Sequence, residues 1–217
     1  MHDLTDAMQD YLKEIHKLRM EGRRATTSAI AERMGVRPPS VTAMLKRLTS
    51  LRLAEHAPYQ GVELTPSGER VALEVIRHHR LLEQYLAQAL GLSLDEVHSE
   101  ADRLEHAISE ELEARIDRSL GYPTHDPHGD PIPDAKLRID RARLRTLASL
   151  EPGEEATIRR VPGDDGELLR YLTKLALIPG KKVKLRRAEP FGGPLTVRIG
   201  KAEHAISREL ADGIGVT

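Results

Sequence analysis

The sequence predicts a mainly α-helical protein with small β elements, laid out in three consecutive segments. Apolar residues recur at helical spacing through the first half of the chain, a single short hairpin pattern interrupts them, and from about Leu147 the pattern turns strand-like. The stretch DLTDAMQDYLKEIHKLRMEG places Met8, Leu12, Ile15 and Leu18 on one face and predicts a helix from about Leu4 to Glu21, ended by Gly22. TTSAIAERMGV predicts a short second helix closed by Gly35. RPPSVTAMLKRLTSLRL predicts a third from about Pro38 to Leu51, with proline at its first turn and a buried stripe of Val41, Leu45, Leu48 and Leu51. Leu53 and Ala54 then begin a strand, YQG supplies a turn and VELT returns. Helix, short helix, tight turn, helix and hairpin is the order of a winged helix-turn-helix.

Thr65 and Pro66 suit the cap and first position of a long helix, and Ser93 the cap of another, with a break or bend expected near His98–Glu100. YPTHDPHGDPIPD reads as a flexible, polar linker, because four prolines and a glycine forbid a regular helix. Beyond it, EATIRRV, KKVKLRRAE and LTVRIG alternate as strands around the short helix GELLRYLTKLAL, which predicts a small barrel. The expected domains are 1–72, 73–142 and 143–217.

Composition narrows the function. With no cysteine, disulfides and thiolate zinc sites are excluded. Neither a signal peptide nor an apolar run of membrane-spanning length is present, so a cytoplasmic location is expected. Net charge is -1, yet residues 1–60 hold ten Lys and Arg against seven Asp and Glu, while residues 61–150 hold eleven against seventeen. The first segment suits a polyanion and the second suits cations. The front of the third helix offers Arg37, Pro39, Ser40 and Thr42 to a major groove, Lys46 and Arg47 follow for the phosphates, and Tyr59 and Gln60 occupy the wing tip.

The acidic middle segment carries carboxylates and imidazoles at helical spacing. In DRLEHAISEEL, Asp102, Glu105 and His106 share a face if the segment is helical. His79 and Glu83 are four apart, as are His98 and Asp102. Facing helices can build metal sites from such groups. Two sites are expected: Asp10, Asp102, Glu105 and His106 in one, and His79, Glu83 and His98 in the other, completed by Asp165 or Glu167. Hard oxygen donors with imidazole suit Mn(II) or Fe(II). His16, His78, His125 and His128 are expected to be non-ligands. An enzyme is disfavoured: HExxH, Walker and GxSxG motifs are absent. A winged-helix adaptor that binds protein, its acidic cluster merely surface, is the alternative.

The stretches DYLKEIHKL, IAERMGVRPPSVTAMLKRL, LTPSGERVA, RHHRLLEQYL, VHSEADRLEHAISEEL and HGDPIPD together resemble the diphtheria toxin repressor family of metal-dependent transcriptional regulators. GELLRYLTKLALIPGKKVKL is similar to the SH3-like module of its longer members. The resemblance implies a helical metal-binding and dimerisation domain, and a homodimer that binds a palindromic operator when Mn(II) or Fe(II) is bound. It implies His79, Glu83 and His98 as ancillary ligands and Glu105 and His106 as the primary pair, and it places Arg80 beside a bound anion. Asp10 and Asp102 stand where iron-type members carry a thioether and a cysteine, which points to a manganese-responsive repressor of metal homeostasis genes, with an Fe(II)-responsive regulator as the alternative. Lys13 stands where manganese-type members carry a glutamate, which implies two separated sites instead of a closely paired centre.

Overall fold

A computed structural model describes residues 4–57, 61–139, 143–163 and 165–217. Contacts divide the chain into one unit of Met1–His78 with Pro133–Arg138, and a second of His79–Ile132 with Ile139–Thr217.

The first unit contains α1 (Asp6–Met20), α2 (Thr27–Met34), α3 (Pro38–Ser50), the hairpin β1 (Ala54–Ala57) and β2 (Gly61–Leu64), and the start of α4 (Pro66–Leu90). The Thr26 hydroxyl accepts the Ala29 N–H at 3.1 Å to start α2, and Gly35, at φ +63°, ends it in the left-handed conformation. Pro38 and Pro39 open α3, where no N–H is needed. The Thr65 hydroxyl accepts the Gly68 N–H at 3.1 Å to cap α4. Leu12, Ile15 and Leu18 of α1 meet Ile30 of α2 and Val41 and Leu48 of α3 in a fully buried core. Each such side chain contributes about 1.5–3 kcal/mol by leaving water. Leu51, expected in that stripe, is exposed because α3 stops at Ser50. Strands β1 and β2 pair antiparallel from Ala54↔Leu64 to Ala57↔Gly61, as the winged helix-turn-helix pattern requires. Tyr59 and Gln60, assigned to the wing tip, lie outside the described residues.

In the second unit, the rest of α4 is followed by α5 (Leu94–Leu104) and α6 (Glu110–Ser119). The Ser93 N–H donates to Glu96 at 2.9 Å at the start of α5. The break expected near His98–Glu100 falls later: α5 runs unbroken to Leu104, and Ser109 restarts the helix by accepting the Leu112 N–H at 3.2 Å. Leu81, Leu82, Ala101, Ile116 and Ile132 form its helical core.

The small module is a six-stranded antiparallel sheet. In chain order it holds β3 (Arg145–Thr146), β4 (Glu155–Arg160), α7 (Gly166–Lys174), β5 (Lys182–Ala188), β6 (Leu195–Ile199), β7 (Ala202–Ile206), α8 (Arg208–Gly213) and β8 (Gly215–Val216). The strand order is β3-β8-β4-β5-β6-β7, so the last strand inserts between the first two. Alternation buries Val183 and Leu185 of β5 and Leu195, Val197 and Ile199 of β6 under Leu169 and Leu172 of α7. Leu94 of α5 packs on this core, and Arg170 of α7 pairs with Asp95 at 3.3 Å. The sequence pattern predicts β4, β5, β6 and α7 but not the short β3, β7, α8 and β8.

The stretch from 121 to 134, expected to be a flexible linker, is a built loop. Asp126, His128, Ile132 and Pro133 are buried. The Asp126 carboxylate accepts the backbone N–H groups of His128 and Asp130, each at 2.9 Å. Proline forbids a helix here, but side-chain to backbone bonds order the loop instead.

Candidate metal centre

In the second unit, α4 presents His79 and Glu83 one turn apart, and α5 presents His98 and Asp102 in the same way. Glu105 continues that face, with helical backbone and its N–H donating to the Ala101 carbonyl at 2.9 Å. It is the C-cap of α5, and His106 lies in the turn beyond it. The turn still gathers the side chains. His79 Nδ1 lies 2.6 Å from Glu105 Oε2 and 3.4 Å from Asp102 Oδ1. His79 Nε2 lies 2.9 Å from Glu83 Oε1 and 3.2 Å from His98 Nδ1. His98 Nδ1 is 3.1 Å from that same Glu83 oxygen, and its Nε2 is 3.6 Å from Asp102. His106 Nε2 is 3.4 Å from Glu105 Oε1. Donor atoms of His79, Glu83 and His98 all lie within 4.8 Å of one another, and so do those of His79, Asp102 and Glu105. His79 belongs to both of these groups, so its ring links them.

His128, set aside on sequence as a linker residue, is 1% exposed and lies 3.3 Å from Glu83 Oε1 through Nε2. Neither of its ring nitrogens has a hydrogen bond; the approach to Glu83 is close but off the angle a bond requires. Three imidazoles thus converge on one buried carboxylate oxygen. Burial opposes ionisation of Glu83, but His79, His128 and His98 outweigh it and hold its carboxyl well below the usual range. Burial likewise opposes charge on His128, and Glu83, with Asp126 and Asp130 behind it, overcomes this and raises its pKa. Burial, then Glu83 and Asp130, push Asp126 up to about 7. Orphaned buried imidazole nitrogens around a hard anion fit a divalent cation that accepts nitrogen and oxygen donors.

The small module seats His128. The Val161 N–H donates to the His128 carbonyl at 2.9 Å. Gly129, at φ +90°, lies so close to β4 that an added Cβ would stand 1.8 Å from the Arg159 carbonyl oxygen. Gly129→Ala is expected to unseat the loop and draw His128 away from Glu83, read as a changed His128 imidazole NMR signal with the helical circular dichroism kept; an unchanged signal would show that the seat does not matter. Asp165 instead caps α7, accepting the Glu167 and Leu168 N–H groups at 2.8 and 3.2 Å, and both Asp165 and Glu167 are exposed. Neither joins a candidate metal group among the described residues.

The chain's own groups meet Arg80. It donates to the Pro131 carbonyl at 2.6 Å and lies 3.6 Å from Asp126 and 3.9 Å from Asp130. Two carboxylates therefore stand where the resemblance implies an anion. Asp10 lies on α1 in the first unit. On α3, Arg37 is the N-cap, and Pro39, Ser40, Thr42, Lys46 and Arg47 are exposed. His16, in the first unit, sits 3.0 Å from Glu69.

A winged helix-turn-helix followed in sequence by helices that gather carboxylates and imidazoles defines a metal-responsive DNA-binding regulator. Family models match in the same order: the iron dependent repressor N-terminal DNA binding domain over residues 3–62, its metal binding and dimerisation domain over 65–134, and the FeoA domain over 145–217. The diphtheria toxin repressor of Corynebacterium efficiens is 36% identical, covering 99% of this chain and 100% of that protein. The iron-dependent repressor IdeR of Mycobacterium tuberculosis is 32% identical, covering 100% and 99%. Among solved structures, a manganese-dependent transcriptional repressor in complex with manganese superposes with a TM-score of 0.88 at 36% identity, covering 97% of this chain and 99% of that one. The chain belongs to the diphtheria toxin repressor family. It is a metal-dependent, DNA-binding regulator of transcription and not an enzyme, with the dimerisation domain and SH3-like module of that family. No helix among the described residues is long and apolar enough to cross a membrane.

Proposed function

We propose that this chain is a Mn(II)-activated homodimeric repressor that binds a palindromic operator of metal homeostasis genes. The observation that carries the metal reading is the convergence of His79, His98 and His128 on Glu83 Oε1, all within 3.3 Å, with no thiolate anywhere in the chain. The three imidazoles support a divalent transition metal, and the hard carboxylates of Asp10, Asp102 and Glu105, with no thiolate beside them, favour Mn(II), with Fe(II) the second choice. Residues 1–72 would bind DNA, 73–142 bind metal and dimerise, and 143–217 form the SH3-like module.

We assign His79, Glu83, His98 and His128 to one ion, and Glu105 and His106, with Asp102 and Asp10, to a second. The capping role of Asp165 supports giving the small module the part of holding His128 and not of donating Asp165 or Glu167. A bound ion supplies positive charge that neutralises the gathered carboxylates. Glu105 and Asp102 orient His79, Glu83 gathers the imidazoles, and Asp10 ties α1 of the DNA-binding domain to the same charge. Metal then shifts the population to the DNA-competent state because that state binds it more tightly. Arg37, Ser40, Thr42, Lys46 and Arg47 would engage phosphates and base edges.

Selection of DNA fragments with Mn(II), Fe(II) or chelator tests the reading. A palindrome recovered only with Mn(II) is expected. An Fe(II)-only response would reverse the metal assignment, and a folded dimer that selects nothing under any condition would favour the protein-binding adaptor. The raised pKa of His128 gives a second prediction. Metal must displace its proton, so affinity falls as pH drops through neutrality and binding releases protons. Calorimetry in two buffers of different ionisation heat measures the release; identical heats in both would contradict the assignment of His128.

A further inference from the structure

The β5–β6 hairpin concentrates positive charge. Residues 181–201 hold seven Lys and Arg against one acid, Glu189, in a chain of net charge -1. Alternation along each strand separates two faces. Val183 and Leu185 of β5 and Leu195, Val197 and Ile199 of β6 are buried in the module's core. Lys182, Lys184 and Arg198 therefore stand on the other face, Lys182 exposed and the other two half-buried. The strand register sets Lys184 directly opposite Arg198. Like charges in that position repel and weaken a sheet. Two carboxylates are placed to relieve them, since Glu155 of β4 is opposite Lys184 and Glu203 of β7 is opposite Arg198. Both are engaged by other cations: Glu155 pairs with Lys182 at 3.8 Å and Glu203 with Arg186 at 3.2 Å. Lys184 and Arg198 make no ion pair among the described residues, and neither do Lys181 and Lys201, which flank them at one end of the sheet. Alternate residues on a strand stand about 6.6 Å apart and neighbouring strands about 4.8 Å. Cations spread at that spacing suit an extended row of anions more than a single small one. The chain belongs to a family of DNA-binding regulators, and a phosphate backbone is such a row.

We propose that the outer face of β5 and β6, with Lys184 and Arg198 at its centre, is a second DNA-contacting surface that holds phosphates and reads no bases. The proposal goes beyond the assignment of DNA binding to residues 1–72 and gives the SH3-like module a part in affinity. It does not depend on the operator, because phosphate contacts carry no sequence information.

The test titrates the full chain, with Mn(II), against a fluorescent duplex of arbitrary sequence at several salt concentrations. Wild type is compared with Lys184→Gln/Arg198→Gln and with Lys174→Gln/Arg208→Gln, which removes the same charge from α7 and α8 of the same module. Circular dichroism verifies folding. Each phosphate contact adds about 0.9 to the slope of log affinity against log salt, so the first variant is expected to be shallower than wild type by about 1.8. The second is expected to keep the wild-type slope. Equal slopes in all three proteins, or an equal change in both variants, overturns the proposal. Equal slopes together with binding to phosphatidylserine vesicles that only the first variant loses would give the face to a membrane surface instead. A chain that selects no palindrome still answers this test, so the failure of the operator reading and of this one are told apart.

Discussion

Glu105→Ala is expected to lose metal-stimulated DNA binding by about a hundredfold or more, since residues that merely support ligands already cost about ten- to a hundredfold in such sites. Glu105 is 1% exposed and serves two imidazoles at once, 2.6 Å from His79 Nδ1 and 3.4 Å from His106 Nε2. Alanine removes a proposed ligand and releases the ring that both candidate groups share. Operator anisotropy under Mn(II) titration measures the effect, with circular dichroism to verify folding. Asp10→Ala is expected to behave alike, and His98→Ala more mildly, because the His98 side chain is less buried than that of Glu105. A full metal response in both Glu105→Ala and Asp10→Ala would defeat the switch proposed above.

Glu83→Gln is expected to destabilise the metal-free protein at neutral pH by about 3–5 kcal/mol, the range for breaking one partner out of a buried ion pair. Glutamine preserves volume but removes the anion that three imidazoles face. The sign with pH follows from the lowered pKa of Glu83. The stabilisation is complete above the ordinary carboxylate range and is lost in the wild type as pH falls through the depressed folded-state value, so the two proteins converge in acid. Urea unfolding at neutral and acidic pH measures the difference. Equal stability at neutral pH would mean that the cluster is held by packing alone.

The helices of the first unit were readable because their apolar spacing, caps and prolines agree: Leu12, Ile15, Leu18, Val41 and Leu48 are buried as their periodicity demands. Spacing alone misplaced the end of α5. It carried the helix on past His106, while the chain turns after Glu105, which keeps helical backbone and its bond to Ala101, and brings His106 in by that turn. His128 escaped because its environment is tertiary. Nothing in PTHDPHGDPIP predicts a ring lodged against Glu83, since the seat is made by β4 and its following residues, far along the chain. One local signal was available: Asp126 two and four residues before His128 and Asp130 is placed to tie their N–H groups into a turn. The two-residue β3 and β8 are too short to show alternation, and β7 was missed because AEHAI buries only Ile206 and so shows no alternating apolar face.

The insertion of β8 between β3 and β4 has a kinetic consequence. Arg145 pairs with Val216 and Thr146 with Gly215, so the sheet can complete only after a long stretch of chain has been brought back on itself. Loop-closure entropy is paid before that distant pairing gives anything back. Because β4 both pairs with β8 and leads into the residues that seat His128, the seat and the closing of the sheet stand or fall together.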